Sequence, residues 1–308
     1  MAKPRSRTTD YLVYLAVRMC VCLVQALPFG VSYDLADALA WIAYHVDRRH
    51  RKVAEENLRH AFPDRLSGRQ IDRLVRRTYR HFCGVLLEII HLTRHVNPYN
   101  WKHFLKMPRK AKLVEWLLSG RPLLIVTGHF GNWEMAGYGL GLVGFTGHAV
   151  ARPLDNPYLD DYLRRFREST GQKLLAKHGD FAKMQSILDS AGVIATLADQ
   201  DAGARGVFVD FFGRPASTHK AIALLALEHQ VPMVVVGARK IKEPMIYELL
   251  IEDYILPEDY RDRPDAVVAV TQRFTSALER IVRTAPEQYF WLHRRWKHQP
   301  NRARKKVA

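Results

Sequence analysis

Two residues in the stretch "TGHFGNWEMAG", residues 127–137, have the chemistry for proton transfer: His129 and Glu134, with four residues between them. The spacing alone is weak. With 14 histidines and 31 acidic residues in 308, an acid five positions after a histidine arises about once by chance, the risk every short motif carries. His50 and Glu55 in "HRKVAE" have the same separation. They lie in a glycine-free stretch of helical character, where five residues turn about 500° and leave the side chains roughly 140° apart around the axis. That pair cannot readily touch.

His129 has a different setting. The run "PLLIV" leads into it like a strand, and Gly128 and Gly131 bracket it. Glycine permits a tight turn and close approach of a substrate. Asn132 is a good N-cap type, so a helix is expected to begin there, with Glu134 in its first turn. The histidine then sits on a strand–turn–helix junction, outside the helical register, and can fold back toward the carboxylate. The carboxyl ends of strands are where open α/β sheets place ligands. A neutral imidazole can take a proton from a hydroxyl, and a carboxylate on its other nitrogen fixes the tautomer and stabilises the cation that forms. In this reading His129 is the general base and Glu134 orients it. No enzyme nucleophile accompanies them: there is no G-x-S-x-G elbow, and Cys20, Cys22 and Cys83 all fall in the first third. The nucleophile is then a hydroxyl of the substrate, and attack on an activated acyl group is the simplest reaction that fits.

The elements around the pair set the fold class. After residue 120, short apolar runs at 122–127, 192–198, 206–212, 231–237 and 246–252 read as strands. Residues 158–169, 180–190, 217–229 and 265–284 between or beyond them read as helices. This alternation predicts an α/β fold with a central, mostly buried sheet flanked by helices. The first third is helical: 53–65 stops near Pro63, and 67–94 begins at a capping Ser67. The window 11–29, "YLVYLAVRMCVCLVQALPF", is the most apolar in the chain, though Arg18 and Gln25 interrupt it. It is short for a span, and the next segment, 33–52, ends in a basic cluster near Trp41 and Tyr44. The expectation is a membrane-associated helical segment over 1–50, a catalytic domain over 51–300 and a basic tail over 301–308.

The formal net charge of +16 favours an acidic partner. Three cysteines, two of them one residue apart in an apolar stretch, form neither a disulfide framework nor a zinc pattern, and apolar burial is expected for all three. Asp199 and Asp201 in "ADQDAG" are thin grounds for a metal, so no metal site is assigned; Asp199 reads as a partner for a site arginine or a loop organiser. Glu88 and His91, three apart on a helix, read as local packing rather than a second site.

In this setting the chain is recognisable. "HFGNWE" resembles the first motif of the lipid A biosynthesis late acyltransferases, and "NLRHAFPD" (57–64), "ARPLDNPYLD" (151–160), "RESTGQ" (167–172), "LADQDAGARGVFVDFFGRPAST" (197–218) and "APEQYFWLHRRWKHQP" (285–300) match in the same order. The resemblance runs from about residue 10 to 300. It implies a glycerolipid-acyltransferase-like α/β fold with an N-terminal membrane helix, at the cytoplasmic face of a bacterial inner membrane. It implies an acyl carrier protein thioester as donor, with no cofactor besides, and a hydroxylated glycolipid as acceptor. It implies a histidine–acid dyad, here His129 and Glu134. The positive charge suits acidic carrier proteins and lipid phosphates rather than nucleic acid. Substrate-contact roles are then expected for Asn132, Arg152, Arg167, Asp199 and Arg294, and backbone amides at 130–133 are candidates to stabilise a thioester oxyanion. A hydrolase using the same dyad on thioesters or phospholipids is the alternative reading.

Overall fold

The computed structural model describes residues 6–63, 65–176 and 181–300. The expected basic tail, 301–308, lies outside them. Four helices open the chain: α1 (Arg7–Ala26), α2 (Phe29–Val46), α3 (Arg48–Ala61) and α4 (Gly68–His95). Ser67 caps α4 as expected, in a reciprocal capping box with Gln70. The boundary expected at residue 50 falls in the first turn of α3.

Then follow α5 (Trp101–Phe104), β1 (Leu105–Lys106), α6 (Ala111–Leu118), β2 (Leu123–Thr127), α7 (Trp133–Leu142), β3 (Gly147–Ala151), α8 (Pro157–Glu168), β4 (Lys173–Ala176), α9 (Phe181–Asp189) and β5 (Val193–Leu197). The chain continues through β6 (Val207–Phe211), β7 (Arg214–Thr218), α10 (Ala221–Glu228), β8 (Met233–Lys242), β9 (Ile246–Ile255) and α11 (Ala266–Thr284). Seven strands form one sheet in the order β1-β9-β8-β2-β5-β3-β4. The β8–β9 hairpin is its antiparallel step; the other pairs run parallel.

The expected α/β architecture is therefore present, with two corrections. The strand at 206–212 is not in the central sheet: β6 pairs with β7 as a separate antiparallel hairpin. The helix expected from residue 217 begins only at Ala221, because Ser217 and Thr218 complete that hairpin.

The central strand β2 is apolar from Leu123 to Val126 because helices cover both of its faces. Leu124 and Val126 pack with Ile194, Met233 and Val235 into the core under α11. Leu123 and Ile125 pack with Val193, Val234 and Val236 into the core under α7. Successive side chains alternate between the two, as strand geometry requires.

Helix α1 is long and apolar enough to cross a membrane, yet little of it is buried. The stripe it turns to the protein holds its polar residues. Tyr14 and Arg18 meet Tyr162 of α8, the guanidinium 4.6 Å from the ring centre, and Gln25 donates to the Ile90 carbonyl of α4 at 2.8 Å. Leu12, Leu15, Met19 and Leu23 are exposed. Arg18, costly in the middle of a span, is thus placed against protein. Cys20 and Cys22 lie on the exposed side of α1 and Cys83 is half-buried, which corrects the expected burial of all three.

Candidate active site

His129 and Asp199 meet because of strand register. β2 and β5 are parallel neighbours with Thr127 opposite Leu197. Two residues beyond each strand end stand His129 and Asp199, side by side at the carboxyl edge of the sheet. The His129 ring Nδ1 lies 2.8 Å from Asp199 Oδ1, and the His129 backbone N–H donates to Oδ2 at 2.8 Å. Gly128 leaves room for this carboxylate: a Cβ there would sit 3.2 Å from it. Asp199 is buried and the histidine ring is one-fifth exposed.

The acid on the imidazole is therefore Asp199, and the orienting role read for Glu134 does not match the geometry. Glu134 does lie in the first turn of α7, but on the helix it turns toward α8. There it takes the Nε–Nη2 edge of Arg167, Nε donating to Oε2 at 3.0 Å, and accepts from Trp133 Nε1 at 3.2 Å. The physical reason is reach. A turn residue can be matched by a neighbouring strand's turn at hydrogen-bond distance, while Glu134 is held by its own helix.

Burial would lower the His129 pKa. The Asp199 charge and hydrogen bond, with a smaller push from Glu134, outweigh it and leave His129 above its ordinary value. For Asp199 burial acts upward, but the histidine, its backbone N–H and the Arg295 charge bring the carboxyl below its usual range. Both directions favour a carboxylate that stabilises an imidazolium.

The loop between β2 and α7 is locked from behind. Gly131 adopts φ +58° and accepts no side chain: a Cβ would lie 1.7 Å from the Ala238 carbonyl oxygen of β8. Its N–H donates to Gln288 O and its carbonyl accepts from His81 Nε2 at 3.2 Å. Burial, with the Lys240 charge, pushes His81 down to about 3, so its ring is neutral and Nε2 carries the donated proton. Gly131→Ala is expected to destabilise the fold by about 3 kcal/mol or more, since left-handed strain adds to the collision. A urea midpoint unchanged from the parent would show that the loop does not press on β8.

Glu88 and His91 do not pair with each other. Glu88 is buried between Lys240 Nζ, at 2.7 Å, and the hydroxyls of Tyr33 and Tyr247, while His91 meets Ser32 at 2.9 Å. Glu88 thus ties α4 to α2, β8 and β9, and His91 ties α4 to α2.

The remaining expected contacts separate. Asn132 is wholly buried; its Oδ1 accepts from Met135 N and caps α7, so it positions the helix. Of the amides at 130–133, those of Phe130, Gly131 and Asn132 already donate to carbonyls. That leaves Trp133, in a first turn that has no intrahelical acceptors. Arg152 is exposed beside Asp155, at 3.2 Å. Arg294 is exposed, whereas its neighbour Arg295 is 2 % exposed and donates to Ser217 O and Thr218 Oγ1. Arg295 thus ties the β6–β7 hairpin in place and puts a cation near Asp199. Asp201, considered for a metal, is held by His298 at 2.6 Å. The signal that would have marked Asp199 is its position, two residues past an apolar run, the same offset as His129.

Beside the pair opens an apolar cavity of about 140 Å³, walled by Leu105, Leu113, Leu117, Leu140 and Leu249. Trp133, in ring contact with His129 at 5.0 Å, forms part of its wall, as do Glu134 and Arg167. A histidine–carboxylate pair thus stands next to an apolar slot at the carboxyl edge of an α/β sheet.

Comparison with known proteins is specific. Residues 1–298 match the family model described as bacterial lipid A biosynthesis acyltransferase, and the chain belongs to that family. It is an acyltransferase. It is 26% identical to the lipid A biosynthesis lauroyltransferase of Escherichia coli (strain K12) over 300 residues, 94% of this chain and 92% of that protein. The lipid A biosynthesis palmitoleoyltransferase of the same organism is 24% identical over 284 residues, 89% and 87% of the two chains. A phosphatidylinositol mannoside acyltransferase of Mycobacterium tuberculosis is 33% identical over 116 residues, 36% of this chain and 37% of that protein.

Proposed function

We propose that the chain transfers a fatty acyl group from an acyl carrier protein thioester to a hydroxyl of a lipid A precursor or a related glycolipid. The observation that carries this reading is the His129 ring, held at Nδ1 by buried Asp199 and packed on the tryptophan that walls the apolar cavity. The acyl chain lies in the cavity with its thioester carbonyl at the mouth. His129 Nε2 takes the proton of the acceptor hydroxyl as the oxygen attacks the carbonyl. Asp199 stabilises the imidazolium. The tetrahedral intermediate then expels the thiolate, which recovers the proton from His129 and leaves as the thiol. An ester forms and a thioester breaks, so the reaction needs no cofactor beyond the donor.

The family relationship and the exposed apolar face of α1 support work at a membrane, which we assign to the cytoplasmic face of the inner membrane, where carrier protein is available. The positive charge serves acidic carrier protein and anionic lipid rather than nucleic acid.

The test incubates the full-length protein with acyl carrier protein thioester and a lipid A precursor, followed by mass spectrometry of the lipids. Acylated lipid is expected. Free fatty acid as the sole product, with acceptor present, would instead establish the hydrolase alternative.

The raised pKa of His129 sets the pH dependence. The base must be neutral, so activity falls as pH drops through the raised value, and the acidic limb of kcat/KM is expected above the ordinary histidine value of about 6.5. A limb near or below that value would show that Asp199 does not act on the free enzyme's base.

A further inference from the structure

The wall of the acyl cavity contains a buried amide that the protein leaves without a partner. Glu134 and Arg167 line the cavity and satisfy each other. Gln172 lines it too and is 7 % exposed, yet among the described residues its side chain makes no hydrogen bond. An amide taken out of water costs stability unless it finds a hydrogen-bond partner. Gly137 of α7, also in the wall, gives this amide its room: a Cβ there would stand 2.9 Å from Gln172 Oε1 and 3.0 Å from Nε2. Glycine inside a helix is itself unfavourable relative to alanine. Two local costs therefore meet at one point of the cavity, and a ligand that takes the amide's bonds offsets them.

The place of the amide says which ligand. Trp133 and Gly137 are four apart on α7 and share one face. Trp133 meets the His129 ring at 5.0 Å, so Gly137 and the amide against it stand about 6 Å further along the helix axis than the reacting end. An acyl chain whose carbonyl lies at His129 passes the amide a few chain atoms in. Leu105, Leu113, Leu140 and Leu249 make most of the wall aliphatic, which suits a hydrocarbon and not the amide-bearing arm of a carrier protein. A plain hydrocarbon leaves Gln172 unpaired. A hydroxyl on the first part of the chain pairs it, by donating to Oε1 or accepting from Nε2.

We propose that Gln172 selects a donor whose acyl chain carries a hydroxyl near its carbonyl end. The inference rests on the acyl-transfer reading and narrows its donor class. A site built to hydrogen-bond a substrate hydroxyl rejects the analogue that lacks it, because the protein's own polar group is then buried and unpaired.

The test compares two donors that differ by one oxygen. Full-length protein in neutral detergent micelles receives 3-hydroxydodecanoyl or dodecanoyl acyl carrier protein, and calorimetric affinity is measured beside kcat/KM with a lipid A precursor. The carrier is common to both, so any difference belongs to the chain. The hydroxylated donor is expected to lead by about tenfold in both measurements. In Gln172→Met the ratio is expected to fall to about one, and thermal unfolding to come no earlier than in the parent, since an unpaired amide leaves the interior. Equal affinities and rates in the parent, or a preference that survives in Gln172→Met, overturn the selection. So does earlier unfolding of that variant, which would show the amide to be bonded within the protein. Absence of acylated lipid from either donor, with the affinity difference intact, counts against the transfer reading and not against Gln172.

Discussion

Asp199→Asn is expected to lower kcat for acyl transfer by about 10³- to 10⁴-fold, close to the loss from His129→Ala. The reason lies in the two oxygens of Asp199. One accepts from the His129 backbone N–H and the other from the ring. Asparagine can accept at one of these positions only. The backbone N–H is an obligatory donor, so the amide oxygen stays there and the amide NH₂ turns to Nδ1. The ring is then forced to the tautomer protonated at Nε2, which cannot act as a base. Imidazole nitrogen chemical shifts should report this switch directly, while circular dichroism and thermal unfolding stay near those of the parent. Activity within tenfold of the parent, with the shifts moved, would remove Asp199 from the mechanism.

The second large effect concerns the acid that first drew attention. Glu134→Ala is expected to cost about 10²-fold in activity and about 2–3 kcal/mol in stability, at or below the low end of the range of about 3–5 kcal/mol for breaking a buried ion pair because Arg167 is partly exposed. The cause is an orphaned guanidinium beside an apolar cavity. Removing that charge as well should repair part of the damage, so Glu134→Ala/Arg167→Met is expected to unfold later than Glu134→Ala, with a coupling of about 1–3 kcal/mol. The pH limb set by His129 should move little, since Glu134 is the smallest of its influences. Additive losses in the double variant, with the acidic limb displaced toward the ordinary histidine value, would return the orienting role to Glu134.

Much of the architecture was legible along the chain because local chemistry dictates it. The run before Thr127 is apolar at every position because both faces of β2 are covered, and that signature needs no partner to be recognised. Ser67 and Asn132 cap helices with their own side chains, within three residues. By contrast, residues 206–212 read as well as any central strand, yet they pair with the adjoining 214–218 in a separate hairpin. Apolar content marks a strand; it does not say which sheet the strand joins. Arg295 lies in a basic run near residue 300, but packing carries it to Ser217 and Thr218, some 78 residues back in sequence.

The placing of the candidate histidine belongs to what the sequence determined by itself. A glycine that tolerates φ +58°, a leading strand and a helix cap place His129 on a turn at the strand's carboxyl end wherever that strand lies. Its partner was decided by tertiary structure alone. Glu134 is near in sequence but is carried away by its helix to Arg167. Asp199 is 70 residues distant and is brought back because β5 lies parallel to β2 with Thr127 opposite Leu197. Strand order and register come from the packing of the whole sheet, and they alone turn two equal offsets from two strand ends into one hydrogen-bonded pair.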